Sequence, residues 1–510
     1  MQSKNSKSSS KKRTPMKTYH ELETLISKIY KINHLIGLAS WDYSTMMPKN
    51  AAKNRGDQIA ELVALSHEMF VNPKVGDLIN NAEQERSQLN EWQQANLDKI
   101  KRDYINATCV NTNLLSEFSA ASSECEMVWR EARKENDFLK LKPYLQRVIN
   151  AVNEIASVKS EKLGIPKYDA LVDQSDPGRN TNQIKDIFKI LKDVIPNLLQ
   201  AAIEKQKSDP ALPIKDKVPA YKQKELGTII AKKMGFDFNR GRFDESAHPF
   251  CFGIAGDVRI TTRYDENNFL TAIAGTIHEV GHALYELNLP AEYVNQPVGR
   301  ALSMSLHESQ SLLMEMQAGL SQEFMEYYAK QIKDVLGLSG PEYSPNNLYK
   351  LLTKVQPSLI RVDADEVSYP LHVILRFEIE QELLSGNLKL DDLPEVWNSK
   401  MKEYLGIDVP SDKDGCMQDI HWPSGSYGYF HNYVFGAITA AQVMHAAKLH
   451  NNSITAGLRE GDFTALNDYL NKNIRQFGSL KNSTKLLTDA TGSDLNPEIY
   501  IKYLTERYLH

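Results

Sequence analysis

At 510 residues, 41% hydrophobic and 25% charged, the chain falls among ordinary globular proteins and can bury a large core. A net charge of −5 gives no global pull toward nucleic acid or an anionic membrane, and there is no run of about 18 apolar residues to span one. Cys109, Cys125, Cys251 and Cys416 form no C-x-x-C pair and the N-terminus has no apolar leader segment, so the expectation is free thiols in the cytoplasm, not a disulfide-stapled secreted fold.

The opening MQSKNSKSSSKKRTPMK carries six basic residues and no acidic one, a composition that cannot bury apolar surface. Residues 1–16 are therefore expected to form a disordered basic tail, and 17–510 a single domain, of one lobe or two. Helical periodicity follows at once: Leu22, Leu25, Ile26, Ile29, Ile32, Leu35 and Ile36 recur three and four apart on one face. The same pattern runs through 54–72, 87–130, 139–160 and 183–207, so the fold class is mainly α. Turn-rich punctuation at 208–219 precedes the clearest strand, DVRITTRY at 257–264, in which Val258, Ile260 and Thr262 alternate with Arg259, Thr261 and Arg263. Helical patterns resume at 311–335 and 371–386, with short breaks at 337–347 and 405–415.

Between these lies TIHEVGHALYE, residues 276–286. A four-residue step on a helix is one turn plus about 40°, so His278 and His282 can reach one ion from the same face. Glu279 points about 100° away from His278, where it can address a water on the metal and serve as general base. An amphipathic helix with incidental histidines is the competing reading, since Ile273, Ile277, Val280, Leu284 and Leu287 make an ordinary apolar stripe.

A third ligand has to come from elsewhere. Glu286 sits about 12 Å along the axis from His278, too far for bonds near 2 Å. The extended H-E-x-x-H-x-x-G-x-x-H pattern is absent, with Tyr285 and Asn288 in the Gly and His places. SLHESQSLLMEM, residues 305–316, offers His307, Glu308 and Glu315. Glu308 would give a His, His, Glu set with an open fourth position; His307 also reads as a capping or core histidine, and Glu315 as a solvated one.

Six ordered motifs carry a resemblance: HPF (248–250), DVRIT (257–261), HEVGH (278–282), HESQS (307–311), IRVDADE (360–366) and GCMQDIHW (415–422). On these the chain resembles the M32, or Taq-type, family of metallocarboxypeptidases, with softer likeness over nearly everything after the tail. HPFCFG, LLMEM and YFHNYVFG depart from the family's usual HPFTT, LLW and YFPTYSLG, which leaves subsite shape open. The resemblance implies a large helical fold similar to neurolysin and angiotensin-converting enzyme, with a deep groove, a small sheet near the metal and a homodimer. It also implies release of single C-terminal amino acids from peptides with a free carboxylate, with zinc or sometimes cobalt on His278, His282 and Glu308.

The remaining roles rest on the same likeness. DIHWPSGSYGYFHNYVFG offers His421 and one of Tyr429 or Tyr433 to an oxyanion, with Tyr427 nearby and an aromatic cluster as the structural alternative. Arg361 and Arg259 are candidates for the substrate carboxylate, because a guanidinium fork matches it bidentately. Asp257, Asp363 and Asp365 could instead tie both arginines up, and Arg361 is favoured. His248 either contributes to substrate binding or fixes its loop, while Asp419 and Asp365 are weak candidates to orient metal-bound histidines. An oligopeptidase or dipeptidyl carboxypeptidase on this fold is the nearest rival, and a helical binding protein with a relic metal motif the more distant one.

Overall fold

The computed structural model describes residues 16–510, so all of the expected basic tail but Met16 lies outside the described residues. The chain opens with α1 (Lys17–Thr45), α2 (Ala52–Val71), α3 (Pro73–Gln84), α4 (Glu91–Thr108), α5 (Thr112–Glu135) and α6 (Phe138–Leu163). The continuous pattern over 87–130 is thus two helices. Asn111 breaks it, its side chain accepting from Leu114 N–H at 2.9 Å as the N-cap of α5. Next come α7 (Lys167–Val172), α8 (Thr181–Ser208) and α9 (Ala220–Lys233).

A three-stranded sheet follows, built from β1 (Gly241–Glu245), β2 (Cys251–Ile254) and β3 (Asp257–Thr262). The order is β1-β3-β2, with β1 parallel and β2 antiparallel to the central strand. Val258 and Ile260 are fully buried, as the alternation predicts, and β3 packs on α10 (Phe269–Leu287). Beyond it run α11 (Met304–Leu312), a π-helical turn over Leu313–Gly319, α12 (Gln322–Gln331) and α13 (Pro345–Leu352). The C-terminal part holds α14 (Tyr369–Ser385), α15 (Leu393–Leu405), α16 (His431–His450), α17 (Ser453–Arg459), α18 (Thr464–Asn473), α19 (Ser483–Thr491) and α20 (Pro497–Leu509).

Two large apolar cores meet at α16. Val434, Phe435 and Ile438 join the core shared with α6, α8 and α14, while Val443, Met444 and Ala447 join that of α9, α10 and α12. Most residues of α16, His431, Asn432 and Gln442 among them, are buried, so the helix runs through the interior. Each fully buried Leu or Phe of these cores stabilises by about 1.5–3 kcal/mol, so α16 is a stiff partition for the groups mounted on it. Tyr19, Leu22, Ile26, Val75 and Leu97 form a smaller core among α1, α3 and α4. Among the described residues no helix is long and apolar enough to cross a membrane.

Candidate metal centre and active site

The apolar stripe of α10 faces the core as its spacing predicts: Ile273, Ile277, Val280, Leu284 and Leu287 are all buried. This leaves His278 and His282 half-buried beside the stripe, their rings 4.9 Å apart. Helix α11 reaches them because position 281 is glycine. A Cβ there would lie 2.6 Å from the Gln310 carbonyl oxygen and 2.6 Å from Ser311 Cα. Gly436 of α16 makes matching room on the other side, where a Cβ would sit 2.9 Å from Glu308 Cβ and Cγ. Two close helix approaches thus aim Glu308 at the pair, and one ligand atom from each of His278, His282 and Glu308 lies within 4.8 Å of the others.

Hydrogen bonds around the set fix which nitrogens are free. His307 Nε2 is 2.9 Å from Glu286 Oε1, and its Nδ1 is 2.6 Å from His282 Nδ1. A carboxylate only accepts, so His307 donates from Nε2, and in a ring with one proton its Nδ1 accepts. His282 therefore donates from Nδ1, and its Nε2 lone pair faces Glu308, 3.8 Å away. Glu315 Oε2 does the same for His278, accepting from Nδ1 at 2.8 Å. Burial holds His282 well below its usual range and hence neutral.

Glu315 is thus not a solvated residue: it lies on the π-turn, where Glu315, Met316 and Gln317 line one cavity with His278. Glu286, too remote to be a ligand, acts at one remove through His307. Asp419 and Asp365, expected as orienters, do other work. Asp365 caps the turn before α14 through Val367 N–H and Ser368 N–H, and Asp419 binds two arginines. Partners of this kind set ring orientation and typically control metal affinity 10–100-fold. His307→Ala is expected to weaken metal binding by about that factor, read by competition with a chelator. Unchanged affinity would make His307 a packing residue only.

Two imidazoles and one carboxylate with preset tautomers suit a divalent cation that keeps an open position. Beside them Glu279 is 6% exposed, and its Oε2 is buried with no hydrogen-bond partner in the protein, as a group waiting on water or substrate would be. Burial, against the pull of His278, together with repulsion from Glu308 and Glu315, pushes Glu279 up to about 7.

The cavity lined by His278, Glu279, Glu308 and Glu315 is about 640 Å³ and also receives Arg361, Tyr369 and Tyr433. Arg361 is 5% exposed and gives Nε and Nη2 to Asp419 Oδ1 at 3.1 and 2.9 Å, and Nη1 to Tyr369 Oη at 2.7 Å. Three of its five N–H groups are thereby used, leaving one on each terminal nitrogen, the number a carboxylate's two oxygens accept. Asp419 also takes Arg376 Nε at 2.6 Å. Although burial opposes it, the fields of Arg376 and Arg361 hold the Asp419 carboxyl below its ordinary range.

Tyr433 lies on the cavity with its Oη 3.4 Å from His421 Nε2. Burial lowers His421 to about 4 against the opposing field of Asp419, so the ring is neutral at pH 7. Tyr429 packs edge-on to Tyr433, ring centroids 5.6 Å apart, and lines a neighbouring cavity instead. Nor does Arg259 line the catalytic cavity. Its guanidinium is bidentate to Asp257 at 3.0 and 3.1 Å and lies 4.3 Å over the Trp41 ring. His248 is exposed, with its carbonyl bound by Ser246 Oγ at 2.6 Å, while the next residue, Pro249, reaches the cavity wall.

The profile of a family described as Carboxypeptidase Taq (M32) metallopeptidase matches residues 21–508. Carboxypeptidase 1 of Bacillus subtilis (strain 168) is 33% identical over 490 residues, 96% of this chain and 97% of that protein. Thermostable carboxypeptidase 1 of Thermus thermophilus is 34% identical over 97% of this chain and 99% of its own. Among solved structures, Trypanosoma cruzi metallocarboxypeptidase 1 superposes with a TM-score of 0.95 at 39% identity, covering 97% of this chain and 100% of that one.

Proposed function

From the premise that the chain belongs to the Carboxypeptidase Taq (M32) metallopeptidase family, and so is a metal-dependent carboxypeptidase acting on peptides, we propose that it releases single C-terminal residues with Glu279 as general base. One observation supports this above the rest: His278 and Glu308 of the convergent His278, His282 and Glu308 set share one cavity with the Glu279 carboxylate, which has an unpartnered oxygen, and the Arg361 guanidinium.

Zinc, held by His278, His282 and Glu308, would polarise the scissile carbonyl and acidify the attacking water. Glu279 takes the water's proton and later delivers it to the leaving amine. Arg361 engages the substrate's terminal carboxylate through its two remaining N–H groups, so that only the last peptide bond reaches Glu279. Tyr433, with His421 behind it, donates a hydrogen bond to the oxyanion that develops on the carbonyl. Tyr429 supports the Tyr433 ring, and His248 holds the loop that carries Pro249. Arg259 belongs to the sheet and its packing on α1 through Trp41. A single catalytic domain over 17–510, a homodimer and a cytoplasmic setting complete the proposal, on the family likeness.

Chelation should abolish turnover, and Zn²⁺ or Co²⁺ should restore it. Free-acid peptides should be trimmed stepwise while their C-terminal amides are spared, both read by mass spectrometry. Equal cleavage of acid and amide would favour the oligopeptidase reading. Activity indifferent to chelator would sink the metal mechanism.

A further inference from the structure

Arg475 is fully buried and has no acidic partner. It sits in a 3₁₀ turn, Arg475–Phe477, after α18, and no carboxylate among the described residues lies within ion-pair reach. Its bonds go to neutral oxygens: Nε to Gln310 Oε1 at 3.0 Å, and Nη1 to Asn467 Oδ1 at 2.9 Å and Asn471 Oδ1 at 3.1 Å. Nη2 is buried with no partner, and so is Nε2 of Gln310, itself fully buried. The Nε bond fixes the two side-chain heads against each other, so both orphaned donors belong to one side-chain pair.

A guanidinium in a dry interior needs compensating charge, and buried donors need acceptors. A water molecule would accept from both groups but would bring no charge and two further hydrogens to place. A halide accepts from both and neutralises the cation. We propose that Arg475 Nη2 and Gln310 Nε2 form a buried site for a small monovalent anion of the chloride type.

The position gives such an ion leverage. Gln310 follows Glu308 by two residues on α11, and its carbonyl is the atom against which Gly281 of α10 packs. Tyr285, three residues after His282, is fully buried with its Oη accepting from Leu302 N–H at 3.3 Å. An anion here ties the turn after α18 to α11 directly behind the metal ligands.

The test uses the full-length, metal-free protein, so it does not depend on the catalytic reading. Thermal unfolding would be compared in sodium chloride, sodium bromide and sodium gluconate at equal ionic strength. A saturable rise in Tm of about 2–3 °C is expected with either halide at a hundredfold excess over Kd. Crystals soaked in bromide should show anomalous density beside Arg475 Nη2. Arg475→Met should lose the halide response, and Gln310→Glu, which supplies an internal negative charge, should lose it too while folding without halide. Equal Tm in halide and gluconate, or bromide density absent from this place, overturns the proposal and leaves a water there. A halide response that persists in Gln310→Glu overturns it as well, and stands even if Arg475→Met fails to fold.

Discussion

Glu279→Gln is expected to keep its metal and lose turnover by about 10²–10⁴-fold, the range that a positioned general base contributes. The substitution is nearly isosteric and leaves His278, His282 and Glu308 untouched. It removes the one carboxylate oxygen of the centre that is buried without a partner in the protein. In the metal-free protein, burial in company with Glu308 and Glu315 pushes the wild-type group up to about 7, toward the range where a carboxylate can both accept and return a proton. An amide can do neither. Turnover of a free-acid peptide should be measured beside metal content on the same sample. A variant with full metal and turnover within tenfold of wild type would show that another group takes the proton. Loss of the metal itself would recast Glu279 as part of the cation's charge balance.

Much of this centre was legible in the sequence because helices report their buried face. The spacing of Ile273, Ile277, Val280 and Leu284 oriented α10, and with it His278 and His282, before any coordinates. Rise per residue excluded Glu286 as a ligand on length alone. Periodicity, however, describes one helix at a time and is blind to what a neighbour brings. Glu315 looked solvated because an α-helical count carries no sign of the π-turn that swings it to His278 Nδ1. His307 and Glu286 looked unrelated until α10 and α11 were placed side by side. Strands β1 and β2 escaped notice for a similar reason: GRFDE and CFGI are short, without alternation, and become strands only by pairing with β3. At Arg259 the Asp257 partner that the sequence offers is present, while the Trp41 face under the guanidinium comes from α1 and leaves no sign in the local sequence.

Arg361→Gln is expected to lower kcat/KM on free-acid peptides by about 30- to 5000-fold and to change turnover of amidated peptides little. Removing one partner of a buried, hydrogen-bonded charge pair costs about 2–5 kcal/mol, which sets that range. The substrate carboxylate would lose both N–H groups that Arg361 has left over from Asp419 and Tyr369, so the loss should fall first on KM. Arg376 still holds Asp419 at 2.6 Å, so the variant does not strand that carboxylate and should fold. The decisive readout is the ratio of acid to amide cleavage, because a general loss of stability lowers both and leaves the ratio alone. Collapse of the ratio toward one makes Arg361 the reader of the chain end, and with it the reason that a groove of this size acts on termini. A ratio unchanged from wild type would move that role elsewhere on the cavity wall, which Arg259, bound to Asp257 and stacked on Trp41, does not line.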